Sequence, residues 1–250
     1  MITKTVLNEE IIQYINREDL LYLNILYYLK YNKEAEIFLY NDSLDDGIIV
    51  YGEDDWMCFF ATNNLDFQEE FLQNYKKDYL TFSAIPLSIA QQFIQNKEFC
   101  WSNTCKVFVF NEKINEYYED NYNIETLTLE DTEEVHYYFT YKNDDSLKTI
   151  KTQIETRDNV CIRINGELAG WCLVHIEDYS IGPLYVKKKY RGKDLPNALI
   201  SALCKKLQDK DIIPYGHVVE TNWMALSLAF KANGFEHSHD CIWFGLVKDI

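Results

Sequence analysis

The sequence contains no run of about 18 consecutive apolar residues, so no membrane-spanning helix is expected. Its opening, residues 1–19, has no long apolar stretch of the kind found in the middle of a secretory signal. Basic residues are scarce beside acidic ones: 24 Lys and Arg against 40 Asp and Glu give a formal charge of -16. Binding a phosphate backbone depends on Lys and Arg displacing counterions, so nucleic acid is not an expected partner, and an anionic membrane surface is disfavoured in the same way. The seven cysteines, at 58, 100, 105, 161, 172, 204 and 241, are odd in number and form no C-x-x-C pair, which argues against a disulfide framework and against a zinc site. Most stand in apolar runs, where a reduced core thiol belongs. What the chain does have is 47% hydrophobic residues, with 19 Tyr and 14 Phe, ample for packed cores. The expectation is a soluble, cytoplasmic, globular protein, and 250 residues suit two domains of ordinary size.

The first half opens with helical spacing over residues 9–16 and 20–30. Short β-rich runs follow at 37–40, 48–51, 56–62, 80–85 and 106–110, with helical patterns near 67–75 and 87–95 between them. This predicts a mixed α+β domain over residues 1–123. Residues 111–123 are acidic and polar without apolar periodicity and are the predicted linker. Residues 124–250 form the second predicted domain. A short strand at 124–127 leads to a helix introduced by Thr128 with Asp131 three positions on, and to a second helix after Asp144-Asp145. Strands at 160–164 and 167–176 are joined by Asn165-Gly166, a pair suited to the positive φ angles of a type I′ turn. A third strand, 179–186, runs into the basic stretch KKKYRGK and a helix over 195–210, with Leu195, Leu199, Leu203 and Leu207 along one face. A strand at 213–219, a helix at 223–233 ending before Gly234, and a strand at 241–247 complete the pattern.

A strand that ends in a basic, glycine-containing turn and then opens a helix directs backbone N–H groups, the positive helix end and cationic side chains to one point, which suits phosphate. The same stretch also reads as an ordinary turn with a solvated charge run. Gly182-Pro183 predicts an irregularity in the strand, since proline removes a ladder donor.

The order strand, two helices, three-strand meander, turn and helix, then strand, helix and strand resembles that of the GNAT acyltransferases. Residues 185–193, YVKKKYRGK, look like that family's strand end and pyrophosphate loop; Asn222, Ala225, Leu228 and Asn233-Gly234-Phe235 look like its following helix. The run ELAGWCLVHIEDYSIGPLYV is similar to the glycine N-acyltransferase-like branch. The resemblance implies an α/β fold: a C-terminal GNAT domain with a central mixed, mostly antiparallel sheet flanked by helices, after a divergent α+β N-terminal domain of degenerate GNAT-like form that has no phosphate-loop counterpart.

It further implies acetyl-CoA, or another acyl-CoA, as co-substrate, with no metal. The main chain of Leu184, Tyr185 and Val186 would hold the pantetheine arm; Arg191, Gly192 and Lys193 would hold the pyrophosphate; Asp194, Asn197, Asn222 and Phe230 complete the cofactor set. Asp194 stands where the family has a second glycine, and also where an N-cap belongs, two residues before Pro196, so that its side chain would turn onto the helix amides. Glu177 or Asp178 is the implied general base, the spacing leaving both open, although either also fits a polar turn. His175, on the face of Trp171 and Leu173, reads as a base acting through water or as a core histidine. Phe230 falls where the family often has a tyrosine that protonates the departing thiolate, and Tyr185 is the substitute. The function implied is N-acyl transfer to an amine on a small molecule or peptide. The alternative is a non-catalytic module that keeps the fold and binds acyl-CoA or another ligand. A homodimer is left open. His237, His239 and Cys241 share a strand face, but three close ligands without a fourth fit a hairpin better than a metal centre. The tyrosines over 22–31 and 137–141 fit helix faces, or the lining of an aromatic substrate pocket.

Overall fold

The computed structural model describes residues 1–17, 20–53, 56–74, 79–95, 97–110, 122–231 and 234–247. The chain passes through one order of elements twice. The first pass is β1 (Ile2–Thr5), α1 (Glu9–Asn16), α2 (Leu23–Tyr31), β2 (Glu36–Tyr40), β3 (Ser43–Gly52), β4 (Met57–Ala61), α3 (Leu65–Asn74), β5 (Tyr79–Pro86), α4 (Leu87–Phe93) and β6 (Trp101–Phe110). The second is β7 (Ile124–Glu125), α5 (Thr132–Tyr138), α6 (Ser146–Thr156), β8 (Asn159–Ile164), β9 (Glu167–Val174), β10 (Ile181–Val186), α7 (Leu195–Gln208), β11 (Tyr215–Val219), α8 (Trp223–Lys231) and β12 (Phe235–Val247). Single 3₁₀ turns at Leu129–Asp131 and Lys188–Tyr190 precede α5 and α7. No described helix is long and apolar enough to cross a membrane.

Internal contacts divide the chain into two units, Met1–Val107 with His217–Trp223 and His237–Ile250, and Phe108–Gly216 with Met224–Glu236. This differs from a single cut near residue 123. The strand β12 pairs antiparallel with β5, from Cys241 opposite Pro86 to Val247 opposite Tyr79, and Phe244 stacks on Phe82 with ring centroids 4.5 Å apart. A long-range strand pairing of this kind leaves no trace in local periodicity. The predicted linker lies outside the described residues as far as residue 121.

In the first unit the strand order is β1-β2-β3-β4-β5-β12-β6-β11. Neighbours from β1 to β4 run antiparallel, whereas β4 and β5 run parallel. Ile48, Ile49, Val50 and Tyr51 of β3 and Cys58, Phe59, Phe60 and Ala61 of β4 are all buried. Strands buried on both faces read as continuous apolar runs, which is why these segments show no alternation. Phe60 meets Phe82 and Phe93 edge to face at 5.2 and 5.1 Å, so aromatic contact knits this core.

In the second unit β10-β9-β8-β7 form a four-stranded antiparallel sheet. One face receives Val135 of α5 and Ile150 and Ile154 of α6, which cluster with Cys161, Trp171 and Leu173. On α7 the predicted stripe, Leu195, Leu199, Leu203 and Leu207, is fully buried, and Leu199 reaches Gly170 of β9. Asp131 ties the first turn of this unit to the sheet. Its carboxylate accepts from the Thr128 amide at 2.8 Å, the predicted cap, and both its oxygens lie 2.7 Å from Arg163 Nη2 on β8. Burial works against the charge, but the bonds from Arg163 and Thr128 outweigh it and hold the carboxyl below its ordinary range.

A carboxyl depressed in the folded state stabilises above its unfolded pKa, about 3.9 for Asp, and loses that contribution as pH falls through the folded value. Asp131→Asn is therefore expected to lower stability by about 1–3 kcal/mol at neutral pH. Urea unfolding from pH 7 to pH 3 should show the difference from the wild type shrinking at the acid end.

Candidate functional site

The site is built on β9, β10 and the start of α7. Asn165 and Gly166 between β8 and β9 both have positive φ, 54° and 79°, as the hairpin turn requires. The connection from β9 to β10 is locked by Asp178. This side chain is 1% exposed, and its Oδ1 accepts from the Ser180 amide at 3.0 Å and the Ser180 hydroxyl at 2.7 Å. Tyr215 donates its hydroxyl to the Asp178 carbonyl at 2.5 Å. Tyr179 takes a left-handed φ of 62° and donates to Asp158 at 3.2 Å, so the strand begins at Ile181 rather than at 179. Asp178 thus has a structural task in this turn, while Glu177 beside it is half-buried. Of the two predicted bases, only Glu177 keeps partial access to solvent.

The predicted irregularity in the third strand is present. Pairing between β10 and β9 shifts register between Ile181 and Leu184, at the cis Gly182-Pro183 bond. Gly182 has φ 150°, and a Cβ there would stand 2.7 Å from His175 Nε2, so the histidine ring occupies the space that glycine vacates. Beyond the shift, Leu184, Tyr185 and Val186 pair with Cys172, Trp171 and Gly170 on one side. Their other side is the edge of the four-stranded sheet. Tyr215 and Gly216 lie beside the start of β10, where a Cβ on Gly216 would be 3.3 Å from the Ile181 carbonyl, yet no ladder joins β10 to β11 among the described residues. The main-chain groups at 184–186 that do not pair with β9 lie along this edge, where the Val186 carbonyl already accepts from Arg191 Nε at 3.1 Å. Tyr185 is fixed there by its ring, which lies 4.9 Å from Tyr138 and 5.1 Å from Trp171.

Residues 187–194 connect β10 to α7. Gly192 and Asp194 are both left-handed, with φ 79° and 58°. Asp194 therefore adopts the conformation glycine favours, and aspartate tolerates it better than most residues. It occupies the N-cap position, but its carboxylate takes no bond from the helix amides and accepts instead from Asn197 Nδ2 at 2.6 Å. This corrects the expected cap: a capping side chain needs extended backbone at its own residue, which the left-handed turn denies. The first turn of a helix leaves its amides without intrahelical acceptors, and at α7 no capping side chain takes them, Pro196 having none. Residues 191–194 are exposed.

The cations of this loop divide into two sets. Lys187 is buried and paired with Glu134 and Glu167. Lys189 meets Glu167 at 2.5 Å, and Tyr190 donates to the same carboxylate at 2.9 Å. The bonds from Lys189 and Tyr190 pull the Glu167 carboxyl down to about 2. Arg191 donates Nε to the Val186 carbonyl at 3.1 Å, and Lys193 reaches over the Tyr190 ring. The Lys193 carbonyl accepts from the Tyr122 hydroxyl. Glu134, Glu167 and Tyr122 were not anticipated as site residues. Five basic residues in eight positions was the available signal, since crowding of that kind demands nearby carboxylates.

The first pass through the fold offers a control. There β4 reaches α3 through three residues only, Thr62, Asn63 and Asn64, none with positive φ. Asn64 Oδ1 accepts from the Phe67 amide at 3.0 Å and so occupies the helix start. That corner has no left-handed turn, and a side chain takes one of its helix-start amides.

The profile of the FR47-like protein family matches residues 160–244. No curated protein matches the chain in sequence. A solved structure of a Drosophila protein superposes with a TM-score of 0.76 at 14% identity, covering 98% of each chain. A GNAT-family acetyltransferase from Colwellia psychrerythraea gives 0.59 at 14% identity over 99% of this chain and 100% of its own. A tandem GNAT protein from the clavulanic acid biosynthesis pathway gives 0.57 at 11% identity over 99% and 98%. The chain has the GNAT fold. Its doubled element order is in keeping with the tandem neighbour, and the FR47-like match falls on the second pass, which carries the loop just described.

Within the matched stretch the structure brings Leu184, Tyr185, Val186, Arg191, Gly192, Lys193, Asp194 and Asn197 into one continuous strand, turn and helix start. Glu177 and Asp178 stand at the opposite end of β10. Asn222 precedes α8 and belongs to the first unit, and Asn233 lies outside the described residues. Phe230 is 58% exposed and meets Phe108 edge to face at 4.9 Å. His237 lies 2.7 Å from Asp240, which Lys106 also reaches at 3.0 Å, and His239 is pushed down to about 4 by burial and then by His217 and His237. Among the described residues no three His, Cys, Asp or Glu side chains converge as metal ligands would.

Because Asp194 holds a glycine-type conformation, Asp194→Gly should leave the fold intact and raise stability by up to about 1 kcal/mol. Asp178→Ala, which strands the buried Ser180 amide and hydroxyl, should cost about 2 kcal/mol. A urea midpoint that falls in Asp194→Gly would contradict the first assignment, and one that does not fall in Asp178→Ala would contradict the second.

Proposed function

We propose that the chain transfers an acetyl or other short acyl group from acyl-CoA to an amine on a small molecule or peptide, and that its second half stands nearest the glycine N-acyltransferase-like branch. The β10–α7 connection carries this reading. It combines an open strand edge for the amides of a pantetheine arm with a left-handed turn and helix start for a pyrophosphate. The fit rests on main chain more than on side chains, since Lys187 and Lys189 are engaged by carboxylates. Arg191, Gly192 and Lys193 would receive the phosphates, while the Asp194 carboxylate, turned to Asn197, leaves its own amide to the turn.

The reaction needs a neutral amine. Its lone pair forms the C–N bond to the thioester carbonyl, the C–S bond breaks, the amine gives up one proton and the thiolate takes one. Glu177 is the base in this scheme, because Asp178 is committed to its turn. Tyr185, held at the strand edge by Tyr138 and Trp171, is the proton donor, Phe230 having no proton to give. That same Phe230 supports the second reading, a module that binds acyl-CoA without turnover.

Calorimetry with acetyl-CoA tests the site. Gly192→Trp forces a side chain into a left-handed turn and fills the space before the amides, so binding should weaken by at least about tenfold; equal affinity in wild type and variant would remove the loop from the site. Where an amine is found to be acylated, Glu177→Gln should lower kcat by about 100-fold with acetyl-CoA affinity unchanged. Binding with no product from any amine would decide for the second reading.

A further inference from the structure

Glu167 is the first residue of β9, directly after the Asn165-Gly166 turn, and it holds residues 20 to 23 positions along the chain. Its Oε2 accepts from Lys189 at 2.5 Å and from Tyr190 at 2.9 Å, and its Oε1 lies 3.4 Å from Lys187. Lys187 is further paired with Glu134 on α5. These three residues flank or form the 3₁₀ turn that delivers the chain to Arg191 and Gly192. The carboxylate is thus a rigid hairpin's hold on a loop that leaves the sheet at Val186 and rejoins regular structure at Leu195. With its carboxyl drawn down to about 2, it stays ionised at every pH at which the protein would work.

We propose that Glu167 is a positioning residue of the acyl-CoA site: it ties Lys187, Lys189 and Tyr190 to the β8–β9 hairpin and so presets the turn at Gly192 and Lys193 that receives the pyrophosphate. This rests on the acyl-CoA reading of the loop. Charge alone points the other way. A carboxylate near a phosphate site repels the ligand and withholds a lysine from it, so its removal would tighten binding if that were all it did. As a tie, its removal leaves the loop to be ordered at the moment of binding, and that cost weakens the complex.

Two measurements on the full chain separate these outcomes. Amide hydrogen exchange over residues 188–194 of the free protein reports the tie without any ligand, and calorimetry with acetyl-CoA reports its consequence. In Glu167→Gln the exchange of these amides should accelerate at least about tenfold and acetyl-CoA should bind about tenfold more weakly. The melting midpoint should stay close to that of the wild type, and Glu167→Asp, which restores the charge, should recover most of both effects. Unchanged exchange in Glu167→Gln would overturn the tie whatever the calorimetry gives. Tighter binding would show Glu167 to be a competitor for lysine and overturn the positioning role. A wild type that binds no acetyl-CoA would bring down the acyltransferase reading, and the exchange result would then decide by itself whether Glu167 orders the loop.

Discussion

Crowding of like charge in the β10–α7 connection is the constraint around which the second unit is arranged. Lys187, Lys188, Lys189, Arg191 and Lys193 fall within eight residues of a chain whose net charge is -16. Unpaired, such a run would spread into solvent. Two carboxylates from the body of the unit, Glu134 on α5 and Glu167 on β9, draw the first part of the run inward, and Lys187 is buried as a result. Arg191 is turned back on the strand it follows. What remains outward is a short basic tip with two left-handed residues, next to the start of a helix. In a chain otherwise rich in carboxylates, this tip brings helix-start amides and cations together.

The two passes through the fold show how little separates a corner with a site from a corner without one. Both lead from the fourth strand to a helix. In the first, three residues close the corner and an asparagine side chain occupies the amides; in the second, eight residues make room for the turn and the amides stay available. The fourth strands differ as well. β4 pairs with β5 in parallel, whereas β10 keeps an open edge. A shared element order therefore places the second corner, and loop length with left-handed backbone decides what it can hold.

Much of this was legible in local pattern. The leucine stripe of α7, the Asn165-Gly166 hairpin, the Thr128–Asp131 cap and the break at Gly182-Pro183 each depend on residues within a few positions of one another. The basic turn could be read for the same reason. The role of Asp194 could not: whether its side chain caps a helix depends on its own φ, which the turn sets. Asp178 reads from local pattern as a candidate base or part of a polar turn, whereas Ser180 and Tyr215 make it a buried lock, and Tyr215 comes from 37 residues away. Glu167 was missed because its partners are brought to it only when β9 and β10 pair. The strand β1 and the extension of β6 back to Trp101 carry weak apolar signals and owe their conformation to sheet neighbours.

The pairing of β12 with β5 also bears on how this protein is made. A ribosome delivers the first 107 residues long before residues 237–247, yet β5 gains its neighbour on that side only when the latter arrive. For most of synthesis the first unit therefore carries an uncovered strand edge, with Phe82 lacking the ring that stacks upon it. Completion of the first unit therefore waits on the last strand of the second pass.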